Sequence, residues 1–100
     1  MTQKVLGLDL AALSKDLRGK YKIKDSVKGV VITGVDNSSD AAEKRLSAGD
    51  VIVEVAQEAV TNTADVKKRV DQIKKDGRKS VLLMVANGEG ELRFVPLLVQ

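Results

Sequence analysis

The chain contains no cysteine, no histidine and no tryptophan, and its only aromatic residues are Tyr21 and Phe94. Without cysteine there is neither a disulfide framework nor a thiolate metal site. Without histidine, the Ser-His-Asp and Cys-His nucleophile systems and histidine metal sites are excluded. Serines and carboxylates are present, but no carboxylate pair is evident from spacing. The sequence therefore offers no catalytic residue, no metal ligand set and no cofactor site. Two isolated aromatics make no stacking platform for single-stranded nucleic acid. The net charge of +3 is too small to imply a polyanionic partner by itself. No apolar run approaches the length of a membrane span, and the first residues lack the basic, apolar, small-residue order of a signal peptide. What remains is 100 residues with 43% hydrophobic content. That is one globular domain, residues 1–100, which buries roughly two thirds of its unfolded surface.

The stretch that organises the rest is Lys4-Val5-Leu6-Gly7-Leu8-Asp9-Leu10. A turn containing Gly7 leads into an alternating segment, with Leu8 and Leu10 on one face and Asp9 on the other, which argues a strand. Gly7 permits a backbone conformation closed to other residues, so the amides around it can converge on an anion. An open strand edge beginning in such a nest can take an extended peptide by its chain end. Val-Leu-Gly-Leu also begins ordinary strands, and the local sequence does not separate the two.

Downstream, Ser14 caps a short helical turn that Gly19 stops, and Tyr21–Lys24 alternates as a short exposed strand. The β-branched run Gly29–Val35 reads as a central strand, followed by turn chemistry in Asp36–Ser39. Ser39 then caps a short helix, Asp40–Arg45, and Val51–Val55 is the next strand. The strongest helix pattern is Thr63–Lys75, capped by Asn62 or Thr63 and closed by Gly77. Val66, Val70 and Ile73 share one of its faces. Asp65 with Arg69, and Asp71 with Lys75, stand four apart as ion pairs. Ser80–Ala86 is a strand, Asn87-Gly88 a hairpin signal, and Glu91–Val99 the return strand, with Pro96 marking an edge or a break.

In that order the elements resemble a PDZ domain of the kind found in bacterial HtrA/Deg serine proteases. Leu6-Gly7-Leu8 sits at the Gly-Leu-Gly-Phe-like carboxylate-binding loop, and Gly29-Val30-Val31-Ile32 at the family's Gly-Val-Val-Val strand. Ser39-Asp40-Ala41-Ala42 matches Ser-Pro-Ala-Ala, with Asp40 in place of proline. Gly49-Asp50-Val51-Ile52 fits Gly-Asp-x-Ile. Arg45 stands where the family has glycine, and Ala56-Gln57 where it has Asn-Gly. The resemblance implies an α+β, PDZ-like, five- to six-stranded partly open barrel or sandwich capped by two helices, in the bacterial circularly permuted topology. Only Met1–Lys4 precede the carboxylate loop, so Arg93–Val99 is expected to fill the place of the strand that precedes it in animal domains.

The same resemblance implies a groove between Leu8-Asp9-Leu10 and the long helix. Its expected residues are Val5, Leu6, Gly7, Leu8, Asp9 and Leu10 on one wall and Val66, Val70 and Ile73 on the other. Lys4 would add charge near a bound carboxylate, or be simply solvated. The structural alternative for Val66, Val70 and Ile73 is a core stripe, and Ile73 suits it best. The implied partners are hydrophobic C-terminal or extended peptides of substrate proteins, and the protease domain of the same parent chain. The implied setting is the periplasm, without nucleic acid or membrane insertion, and the implied position is the last domain of its parent. A rival use of the same fold is an assembly contact between neighbouring domains. The basic residues Lys67-Lys68-Arg69, Lys74-Lys75 and Arg78-Lys79 could form a polyanion patch, or a solvated helix face laced with Asp65, Asp71 and Asp76.

Overall fold

The structure, a computed structural model, describes residues 2–99, and of Thr2, Gln3 and Lys4 the backbone. The strands are β1 (Thr2–Val5), β2 (Leu8–Ala12), β3 (Val30–Val35), β4 (Val51–Val55), β5 (Glu58–Ala59), β6 (Ser80–Ala86) and β7 (Leu92–Leu98). The helices are α1 (Lys15–Tyr21), α2 (Asp40–Glu43) and α3 (Thr63–Lys75). One antiparallel sheet runs β1-β2-β3-β4-β6-β7, with β5 beside β4.

The unbroken apolar run of β3 follows from cover on both faces of the sheet, since alternation alone would leave every second residue in water. Val30 and Ile32 enter the main core with Ile52, Val55 and Leu83, facing α3. Val31 and Val51 point the other way, into a second cluster with Ala11, Ile23, Val27 and Ala86, on which Leu13, Leu17 and Tyr21 pack. At the far end, β7 turns Val95 and Leu97 inward and leaves Leu92, Phe94 and Leu98 exposed. Pro96 stands opposite Leu82 on this edge strand, where its missing N–H breaks no ladder on the outer side.

The long helix starts where its cap dictates. Asn62 Oδ1 accepts from the Asp65 amide at 2.8 Å. The Asp65 carboxylate turns back to accept from the Thr61 amide and hydroxyl at 3.3 and 3.2 Å, so it does not pair with Arg69. Arg69 reaches Glu58 instead at 3.2 Å, and Asp71 pairs with Lys67 at 3.0 Å rather than with Lys75. Gly77, at φ +79°, ends the helix, and the Arg78 amide donates back to the Ile73 carbonyl.

Three local expectations are corrected. The first helix runs through Gly19 to Tyr21 and stops at Lys22, whose φ of +56° supplies the left-handed cap. An interior glycine costs a helix only about 1 kcal/mol, and here it does not end one. Tyr21 is thereby helical, and the expected strand Tyr21–Lys24 does not form. Asn87-Gly88 is likewise not a two-residue turn. The Asn87 side-chain oxygen accepts from the amides of Glu89 and Glu91, at 2.9 and 3.0 Å, and organises a wider loop from Asn87 to Glu91.

Short α2 closes the curled sheet. Ser39 caps it, accepting from the Ala42 amide at 3.2 Å, and Asp40 Oδ2 accepts from the Leu98 amide of β7 at 3.1 Å. Arg45, where a glycine was expected, takes the left-handed conformation at φ +65°. Ala56 and Gln57 do the same at +51° and +69°, making a two-residue turn between β4 and β5.

Candidate functional site

Leu6 and Gly7 carry φ values of +54° and +79°, the signs of a type I′ turn, whose twist matches that of two antiparallel strands. The chain therefore folds back on itself at this turn. Thr2 pairs with Ala11, Gln3 with Leu10, Lys4 with Asp9 and Val5 with Leu8. The edge of β2 expected to be open is covered by β1, and β3 pairs along its other side. Residues 2–5 looked too few for a strand in their own right, and the turn chemistry supplies what length does not.

Gly7 is fixed by its surroundings as well as by its φ. Its carbonyl accepts from the Asp36 amide at 2.8 Å, and a Cβ added to it would lie 2.5 Å from Ser39 Cβ. Ser39 is held in turn, its hydroxyl donating to the Asp36 carbonyl at 2.6 Å, while Asp36 Oδ1 accepts from the Ser38 amide and hydroxyl. Sequence reading placed Asp36–Ser39 as a connecting turn and missed that it is the platform under Gly7. The one signal available was its density of turn-forming side chains.

The apolar residues of the expected groove come together. Val5, Leu8, Leu10, Val66, Val70 and Ile73 are all buried in the main core, with Leu6 and Val35 packed against it at partial exposure. Helix α3 touches both β1 and β2, and β1 is the strand paired to the edge of β2 on that side of the sheet. Val66 and Val70, at 2% exposure each, are as enclosed as Ile73 at 6%. All three side chains thus form a buried core stripe. Asp9 is exposed on β2, where the pairing with β3 slips by a bulge between Asp9 and Leu10. Its carbonyl accepts from the Thr33 hydroxyl at 3.2 Å. Lys4 pairs through its backbone with Asp9, and its charge lies outside the described side chains.

The basic face of α3 is partly neutralised by the Lys67–Asp71 and Arg69–Glu58 pairs. Among the described residues no group of acidic side chains is arranged to hold a metal ion, and no helix is long and apolar enough to cross a membrane.

Known proteins are similar to this chain in sequence and in fold. A probable periplasmic serine endoprotease, DegP-like, from Brucella suis biovar 1 (strain 1330) is 44% identical over 70 residues, covering 70% of this chain and 14% of that protein. The protein of the same description from Rickettsia conorii (strain ATCC VR-613 / Malish 7) is 31% identical over 87 residues, 87% of this chain and 16% of its own length. The chain thus spans about one seventh of these relatives. The fold is shared with the HtrA3 PDZ domain bound to a phage-derived ligand, FGRWV. That match has a TM-score of 0.75 at 16% identity and covers 98% of this chain and 86% of the other. It is shared also with the HtrA-type protease AlgW with decapeptide, at a TM-score of 0.75 and 19% identity, covering 97% of this chain and 29% of that one. The PDZ domain pattern matches residues 2–86, and on that match, with this fold, the chain belongs to the PDZ domain family.

Proposed function

We propose that this domain is a non-catalytic module that captures hydrophobic chain ends by strand addition to β2, in the slot between β2 and α3. It would serve substrate recognition or regulation of a periplasmic HtrA-type serine protease on the same parent chain. The observation that carries the reading is that the slot accommodates an extended, antiparallel segment: β1 lies in it and ends on buried Val5. A ligand in the same direction would bring its terminal carboxylate to the Leu6–Gly7 turn. There, Gly7 at φ +79° gives the backbone freedom to present amides to an anion. Lys4 would add favourable charge nearby. The two structural neighbours, one bound to a phage-derived ligand and one with a decapeptide, support the same reading by analogy.

The magnitudes suit a reversible capture. Strand hydrogen bonds contribute about 1 kcal/mol net each, a buried aliphatic side chain about 1.5–3, and a charge-assisted carboxylate contact about 1.5–3. Association costs about 4–15 kcal/mol, which leaves micromolar or weaker binding. Chemical-shift mapping with a C-terminal peptide and its amidated form tests the reading. Perturbations at Leu6–Leu10 and on α3 that weaken on amidation are expected. Equal binding by both forms would refute the carboxylate role.

A further inference from the structure

The slot assigned to a ligand is filled by the chain's own β1. Building on the peptide-binding reading above, we infer that Thr2–Val5 is a displaceable intramolecular occupant of the groove. A peptide then binds only after β1 has left β2.

Three observations carry this. The first is exclusion. β2 is paired along one side by β3 and along the other by β1, so no third strand can join it. The second is competition for the same donors. A two-residue turn closes on the Val5–Leu8 pair, and alternation makes Gln3–Leu10 the next pair to exchange N–H···O=C bonds. The Leu8 and Leu10 amides, which strand addition needs, are therefore engaged by β1. The third is how lightly β1 is held. It is four residues long, and Val5 is its one described side chain in the core. Its turn also holds Leu6 at φ +54°, a conformation that L-residues rarely adopt. Gly7 is held by the bond its carbonyl accepts from Asp36 and by its closeness to Ser39, neither of which involves β1.

The consequence is numerical. If only one molecule in ten has β1 released, the apparent affinity for peptide is weakened about tenfold; if one in a hundred, about a hundredfold. Gln3→Pro removes the amide that pairs with Leu10 and leaves the described core untouched. A chain lacking residues 1–3, which keeps Lys4 and loses the Gln3–Leu10 pair, serves as the second variant, for which no proline effect on the turn arises.

The test has two readouts. Amide hydrogen exchange at Leu10, without peptide, reports the docking of β1. Titration with a decapeptide ending Val-Ala-Val, with a free carboxylate and as the amide, reports the competition. Exchange at Leu10 about tenfold or more faster in both variants, with at least tenfold tighter peptide binding, is expected. Equally rapid Leu10 exchange in all three proteins would overturn the docking. Equal affinities within about twofold would overturn the competition while leaving peptide binding intact. Binding by none of the three would overturn the peptide reading and the competition together.

Discussion

Gln57 offers the sharpest test of how backbone conformation sets stability in this fold. It sits at φ +69° in the turn between β4 and β5, with an exposed side chain. Holding an L-residue in the left-handed region costs about 1–2 kcal/mol, because Cβ crowds the following carbonyl. Gln57→Gly removes that crowding. Glycine opposes the gain through the larger freedom of its unfolded chain, by about 0.5–1 kcal/mol. The net expectation is about 0.5–1 kcal/mol of added stability. For a chain of this size that raises Tm by roughly 2–8 °C. Urea unfolding followed by far-UV circular dichroism should show a higher midpoint at an unchanged slope. The control is Lys68→Gly, in the middle of α3 and exposed, where the backbone is helical and the same change should cost about 1 kcal/mol. A Gln57→Gly chain that unfolds at or below the midpoint of the unsubstituted protein would refute the strain argument.

The remaining expectations concern glycines, the groove and chemistry. Gly29→Ala should prevent folding, since its Cβ would fall 2.1 Å from the Ile52 carbonyl oxygen at a φ of +145°; soluble yield and circular dichroism report it. Gly7→Val should abolish peptide binding and also destabilise the domain by about 1–3 kcal/mol, from positive φ and the approach to Ser39, as thermal unfolding and peptide titration would show. Val66 has no hydrogen bond to offer, and a hydroxyl buried against it would lose water at a cost of about 1–3 kcal/mol. Peptide arrays with free carboxylates should therefore select apolar residues at the last and third-last positions, and selection of serine or threonine at the third-last, unchanged in Val66→Ala, would count against Val66. The isolated domain should not hydrolyse unfolded protein, and turnover that disappears on replacing one of its own serines would contradict this.

Much of the architecture was legible because several local signals agreed. β3 announced itself through an unbroken β-branched run, and α3 through a cap, an apolar stripe and a terminal glycine that all point to the same boundaries. Arg45 and Ala56-Gln57, which stand where the family has glycine or Asn-Gly, left the backbone conformation open, and all three turn left-handed. The failures share a physical cause. Gly19, Asn87-Gly88 and the Asp65–Arg69 spacing were read as pairwise local rules, and each was decided by a competitor a few residues away. Lys22 supplied the cap, the Asn87 side-chain oxygen gathered two amides, and Thr61 captured the Asp65 carboxylate. The state of the groove was hidden for another reason. Whether Leu6–Gly7 opens as a nest or closes as a hairpin depends on what four preceding residues find to pair with. That is a question of tertiary competition, which residue type alone does not answer.

The fastening of α2 has a kinetic meaning. This four-residue helix receives a hydrogen bond from Leu98, fifty-eight positions away in sequence, and its preceding turn holds Gly7. Loop closure over such separations is entropically slower to be rewarded than the formation of a local hairpin. The hairpins β1–β2 and β6–β7 can each form early, but the turn acquires its platform only when distant parts of the chain converge on Asp36–Asp40. A nascent or partly unfolded molecule would thus have strands in place without a competent receiving loop. The Asp36–Asp40 turn and its hold on Gly7 are therefore expected to form after the local hairpins.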